Sequence, residues 1–414
     1  MGGVLASPRL RRIIGAYGVN RLGTWFGTIA IALAVYDHTH NSLAVAAVLI
    51  AAQVIPAFAV PAVVARVEAS KRRRELSMLY FFEAATTAGI IVFLSSFLLP
   101  ALVLLAALDG TAALAANALL RTELAAAAKR ELGGGEDGRD GEQDANAALN
   151  VVFSVTFVLG PVLAGAVVAW AGASAALAID IGSFVICGLL LLDLHPHVEE
   201  AASTSVSMRL RAAWVHVKAV PALRGLLIAQ GVGLIFFESA VPIEVAYVKR
   251  TIVAGDRGYG WLVTCWGVGV VIGSVIFARA GKGRLVAMMS CGTLAIGVAY
   301  LGFAASPTLL AASFASLVGG VGNGVQYAPV ISALQQLTPT ALRGRVMGLL
   351  ESISAITPAI GLTLGGALVA LGSPRFAFTV VGAGATLTAL AFARIRLGSS
   401  ESPLARPDLE LQES

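Results

Sequence analysis

The sequence predicts an all-α membrane protein: twelve transmembrane helices in two pseudo-symmetric six-helix bundles. Three observations predict it. The chain of 414 residues is 57% hydrophobic and only 13% charged, about half the charge of a soluble domain. Its mean hydropathy is +0.83, and runs almost free of charge, such as "LVTCWGVGVVIGSVIFA" (262–278), recur along the whole length. Finally, the two halves of the chain can be laid over one another.

A helix needs about 20 apolar residues to cross the hydrocarbon core, and only a helix or closed barrel satisfies its backbone there. Twelve segments meet that length: 13–36, 42–65, 76–96, 99–121, 147–170, 174–193, 223–247, 259–279, 285–305, 308–335, 346–371 and 375–395. An even number places both termini on one side. Sorted on that frame, the basic residues fall in the terminal tails and the even-numbered loops, including the run "KRRR" at 71–74. Only Lys249, Arg250, Arg257 and Arg375 fall on the other face, and Arg21 lies within a span. Basic residues collect in cytoplasmic loops beside anionic headgroups. The expected location is therefore the cytoplasmic (inner) cell membrane, multi-pass, with both termini cytoplasmic.

The repeat is read from three shifts. A shift of 213 lays "LRRIIGAYGV" (10–19) over "LRGLLIAQGV" (223–232). One of 209 pairs "LDGTAALAAN" (108–117) with "LVGGVGNGVQ" (317–326), and one of 201 sets Gly160 and Gly165 over Gly361 and Gly366. The change from 209 to 201 falls in the polar stretch "ELGGGEDGRDGEQD" (131–144), read as a solvated loop with an insertion of about eight residues. The expected domains are an N-terminal bundle (1–193), a cytoplasmic linker (194–220), a C-terminal bundle (221–397) and a cytoplasmic tail (398–414). Parallel repeats of this kind put a substrate site between the halves, near the bilayer midplane.

Several functions are excluded by pattern. The basic residues do not alternate with exposed aromatics, so no nucleic-acid surface is expected. The cysteines (Cys187, Cys265, Cys291) lie singly in apolar segments and the five histidines in loops or the linker, so neither a metal site nor a disulfide framework follows. No G-x-x-x-x-G-K-[ST] occurs, and no nucleophile–base arrangement. Neither a cofactor nor enzymatic chemistry is expected.

Four stretches resemble the major facilitator superfamily, and the resemblance covers essentially the whole chain. In the second loop Glu68, Arg72 and Arg73 match the acid and the final basic pair of the family's G-x-x-x-D-[RK]-x-G-[RK]-[RK], while Val64, Ala69 and Lys71 depart from it. "TFVLGPVLAG" (156–165) is similar to the family's antiporter signature through Gly160, Pro161 and Gly165. "RGRVMG", with Arg343, Gly344 and Arg345, resembles the tenth loop of the branch holding macrolide-efflux and enterobactin-exporter proteins. "VNRLGTWF" (19–26) with "VYDHTHNSLAVA" (35–46) resembles that branch's first span and its exit. The resemblance implies a monomeric secondary transporter working by alternating access, exporting a small amphipathic or hydrophobic organic molecule in exchange for protons. An uncoupled importer or facilitator, and a non-transporting sensor or assembly protein on the same scaffold, are the alternatives.

Charges and amides inside spans are expensive and mark candidate sites. Glu238 and Asp109 are the proton-coupling candidates, since a carboxyl group in apolar surroundings suits reversible protonation. Asn20, Arg21, Trp25, Asn117, Gln326 and Glu244 are the substrate-cavity candidates; the 213 shift places Trp25 over Glu238, and the 209 shift Asn117 over Gln326, two amides whose second reading is hydrogen bonding between helices. Arg21 has a second reading as half of a structural ion pair. Glu83 and Asp180 are expected to make helix-to-helix hydrogen bonds, and Glu351 to pair with Arg343 or Arg345.

Overall fold

The computed structural model describes residues 6–56, 58–60, 63, 74–96, 98–132, 139–192, 216–280 and 284–395. Glu68, Arg72 and Arg73, most of the linker and the tail lie outside the described residues. Among those described, twelve helices are long and apolar enough to cross a membrane. They are α1 (Pro8–Thr39), α2 (Ser42–Gln53, its apolar span running on to Val60), α3 (Glu75–Ser96), α4 (Leu99–Leu132), α5 (Arg139–Ala171) and α6 (Ala173–Leu190) in the first half. The second half holds α7 (Pro221–Ala246), α8 (Gly255–Ala280), α9 (Leu285–Ala305), α10 (Leu309–Gln336), α11 (Thr340–Leu371) and α12 (Pro374–Ala393). Local chemistry sets several boundaries. Ser7, Thr308 and Ser373 cap the starts of α1, α10 and α12 by accepting backbone N–H groups, while Pro8, Pro221 and Pro374 occupy first-turn positions where no N–H is needed.

Two of the boundaries that differ from the sequence reading flank the fourth loop. Helix α4 continues to Leu132 and α5 begins at Arg139, so residues 139–144 of the expected solvated loop are helical. Hydropathy marks where lipid ends, not where helix ends. The stretch "TELAAAAKREL" is rich in good helix formers and needs no lipid to stay wound.

The duplication is visible in three dimensions. Helix α1 packs on α5 and α6, α3 on α4 and α6, and α2 on α4; each pairing recurs six helices later, as α7 with α11 and α12, α9 with α10 and α12, and α8 with α10. The halves meet through α5 on α8 and, reciprocally, α2 on α11. Backbone geometry repeats as well. Among the described residues, the non-glycine residues with positive φ are His40 (49°) and Val253 (56°), which the 213 shift superimposes. Both lie in the connection between the first and second helix of a half.

The apolar core reveals the arrangement of the halves. At the odd-loop end one cluster joins both, running from Ile29, Tyr36 and Val45 to Ile243, Tyr247 and Phe378. At the opposite end, where the terminal helices start and finish, the core divides. One cluster holds only first-half residues, Leu10 to Leu191, and a separate one only second-half residues, Val217 to Phe392. Among the described residues the core is thus joined at the odd-loop end and divided at the other.

Candidate functional site

Close helix approach builds the closed end. A side-chain carbon on Gly165 would lie 2.5 Å from the Gly260 carbonyl, and one on Gly260 would lie 2.6 Å from the Ala169 backbone nitrogen. Small residues here let α5 and α8 touch backbone to backbone. Gly366 does the same on α11 against Ser42 and Leu43 of α2. The Ser42 hydroxyl also donates to the Pro242 carbonyl at 3.1 Å. An ion pair crosses the same seam: Lys249, just beyond α7, reaches Asp37 of α1 at 2.5 Å and also pairs with Asp256 at the start of α8. Beside it, at the odd-loop surface, lies a pocket of about 450 Å³ lined by Trp170, Lys249 and Arg257; none of the candidate site residues contributes to it.

Trp25 and Glu238 mark equivalent places in the two halves. Gly160 leaves room on α5 for the Trp25 ring of α1, against which a side-chain carbon would collide. Its repeat partner Gly361 stands in the same relation to Glu238, 2.6 Å from the position an added carbon would take. The two shifts inferred from sequence, 213 and 201, therefore converge on one packing unit used twice.

Around Trp25 the structure assembles aromatics that the sequence reading missed. Phe157 meets Trp25 edge-on at 6.1 Å, stacks with Phe153 at 6.0 Å, and stacks with Tyr327 of α10 at 6.0 Å. This ladder crosses from one half to the other. Arg21 sits over the Phe153 ring at 5.1 Å, a cation–π contact. It forms no ion pair or hydrogen bond among the described residues, and its Nε is buried without a partner, so the reading of Arg21 as half of a structural ion pair is overturned. On the facing half, Tyr327 lies within electrostatic range of Glu351. Glu351 is exposed and forms no ion pair with Arg343 or Arg345 among the described residues. Instead, Arg343 donates to the Thr338 carbonyl at 3.2 Å, tying down the start of α11, whose first turns also hold Gly344 and the exposed Arg345.

The other candidates divide by surroundings. Asn20 is engaged locally, accepting from Thr24 at 3.3 Å, and lies beside the Tyr80 hydroxyl of α3. Gln326 donates to Gln230 of α7 at 2.8 Å, a buried bond between helices, while Asn117 has an unbonded buried oxygen. Glu238 and Glu244 are half-buried on α7 with no hydrogen bond or ion pair among the described residues; both lie in electrostatic range of Tyr300. Asp109 accepts from Thr86 at 2.6 Å and from Thr87 at 3.2 Å. Pro161 lies inside α5, where it removes one ladder bond beside Gly160. Glu83 departs from expectation: it is fully buried on α3 and neither carboxylate oxygen has a partner.

The profile of the Major Facilitator Superfamily matches residues 240–412. An uncharacterized MFS-type transporter of Bacillus subtilis, YfiS, is 23% identical over 255 residues, 58% of this chain and 60% of its own. A multidrug efflux pump of Mycolicibacterium fortuitum, Tap, is 26% identical over 242 residues, 54% of this chain and 56% of its own. The matches thus span less than two thirds of these relatives' lengths. Among solved structures, the nucleoside transporter NupG superimposes with a TM-score of 0.67 at 12% identity, covering 93% of this chain and 98% of that one.

Proposed function

We propose that the chain is a transporter of the major facilitator superfamily, a proton-coupled exporter of an amphipathic aromatic compound working by alternating access. The observation that carries the reading is the core, joined at the odd-loop end and divided at the other. A bundle whose halves share one core at one end only is built to rock about that seam. With the basic even loops in the cytoplasm, the present arrangement is inward-facing, in the inner membrane, with both termini cytoplasmic, and a single chain suffices.

Substrate enters between the halves. Phe157 and Tyr327 offer flat faces from both sides, and Arg21 offers unbonded N–H donors to a carbonyl or acidic group of the same molecule. Glu238 and Asp109 are the acids that exchange a proton for it. Export is favoured by the Gly160–Pro161–Gly165 pattern and by the likeness to a multidrug efflux pump. The test uses everted membrane vesicles and a panel of fluorescent aromatic anions and cations, such as fluorescein and ethidium. An imposed pH gradient should drive uptake of at least one dye, and Arg21→Gln should raise its half-saturation concentration roughly tenfold or more, as expected for about 1.5 kcal/mol of lost charge-assisted bonding. Uptake that ignores the gradient would remove the coupling, and accumulation inside intact cells would reverse the direction.

A further inference from the structure

Three carboxyl groups meet inside the N-terminal bundle, apart from the aromatic ladder. Helix α3 lies between α4 and α6 and carries Glu83, 0% exposed, with both oxygens unbonded. Asp109 on α4 is tied to Thr86 and Thr87, one turn along α3 from Glu83. Asp180 on α6 is 4% exposed and has an unbonded oxygen. It occupies a notch in α1 made by Gly23 and Gly27, where any side chain would collide with it. Glu83 is within electrostatic range of both aspartates, and the two aspartates of each other. The titratable neighbours are Tyr80 on α3 and Cys187 on α6, with Tyr17 of α1 beyond, in range of Tyr80. No lysine, arginine or histidine among the described residues pairs with any of the three.

Three unpaired carboxylates cannot stand together in such a place, because burial penalises each charge and the like charges repel. Something positive must neutralise them. No three acidic, histidine or cysteine side chains among the described residues are arranged to hold a metal ion. We propose that Glu83, Asp109 and Asp180 form a proton-holding site, with Glu83 as its sealed store and the half-buried Asp109 as its point of exchange. When Asp109 gives its proton to water, the hydroxyls of Thr86 and Thr87 remain as donors to the carboxylate left behind. Glu83 has no such donors, so its proton leaves only when the bundle rearranges. This rests on the proton-coupled reading above and adds Glu83 and Asp180 to the coupling machinery.

The test is infrared difference spectroscopy of the full-length chain in lipid vesicles, between mildly acidic and alkaline buffer. Wild type should show a protonated-carboxyl band at neutral pH. Glu83→Gln should lose a component of it, and Asp109→Asn should lose the component that responds first as pH rises. Should Glu83→Gln fail to fold, Glu83→Asp keeps the carboxyl and should displace that component. A neutral-pH band identical in Glu83→Gln and wild type, or one unmoved in Glu83→Asp, overturns the proposal. So does a band that shifts when sodium chloride is raised at constant pH, which would mean a metal cation. A band that behaves as expected beside dye uptake that ignores the pH gradient keeps the site and removes only its coupling to transport.

Discussion

Val253 is the residue whose conformation its own chemistry least favours. It is β-branched, 76% exposed and held at φ 56°, where an L side chain is crowded by about 1–2 kcal/mol. Glycine relieves the crowding but loosens the unfolded chain, which returns about 0.4–1 kcal/mol of the gain. Val253→Gly should therefore stabilise the protein modestly, by about 0.5–1 kcal/mol, as a raised melting temperature in detergent; a lowered one would mean that the connection needs the side chain. Gly160 makes the opposite case. Its α-carbon faces the Trp25 ring, so Gly160→Ala should cost about 1–3 kcal/mol through overpacking, with a change in tryptophan fluorescence as the ring moves. The glycine was legible in sequence as part of a motif. The ring was not, because a phenylalanine or tryptophan in an apolar span carries no mark of which way it faces. Phe153, Phe157 and Gly160 do share one helical face by spacing, and that was the available signal.

At the scale of the element, the seam between α5 and α8 is a close backbone contact made by absence of side chains. Gly165 and Gly260 bring the two backbones into contact, so Gly260→Leu should hold the odd-loop ends apart. Spin labels placed at positions 170 and 310, both strongly exposed near that end, would report a longer mean distance in the variant than in the parent; an unchanged distance would dismiss the seam as a closure surface. Helices of this kind were legible because lipid imposes a length and a composition on them. Their extensions into water, as at the end of α4 and the start of α5, were not, since hydropathy says nothing of helix beyond the bilayer. The repeat was legible only as scattered small residues and one recurring approach, yet its 201 and 213 shifts meet at Trp25 over Gly160 and Glu238 over Gly361. The acids were harder to read. Sequence shows that Glu83 and Asp180 lie within spans, but not that they gather beside Asp109, because the rotation of three helices about their axes is decided by packing.

For the whole molecule the question is what holds the odd-loop end shut in the present arrangement. Lys249 bridges Asp37 in one half and Asp256 in the other, at a surface where an ion pair contributes up to about 1 kcal/mol, or roughly a fivefold bias in population. That is enough to tilt an equilibrium between two closed ends and too little to lock it, as the proposed alternating access requires. Lys249→Gln should shift the spin-label distribution toward the open odd-loop end by about that factor, with the fold intact. A covalent bridge should do what the ion pair does not. In a chain stripped of its three native cysteines, Asp37→Cys and Lys249→Cys joined by a bifunctional thiol reagent long enough to replace the lysine should abolish dye transport. Cleaving a reducible reagent should restore it, and each single variant treated alike should keep its activity. If the bridged protein transported at the unbridged rate, the halves would not part at this seam, and the divided core at the opposite end would need another explanation than rocking.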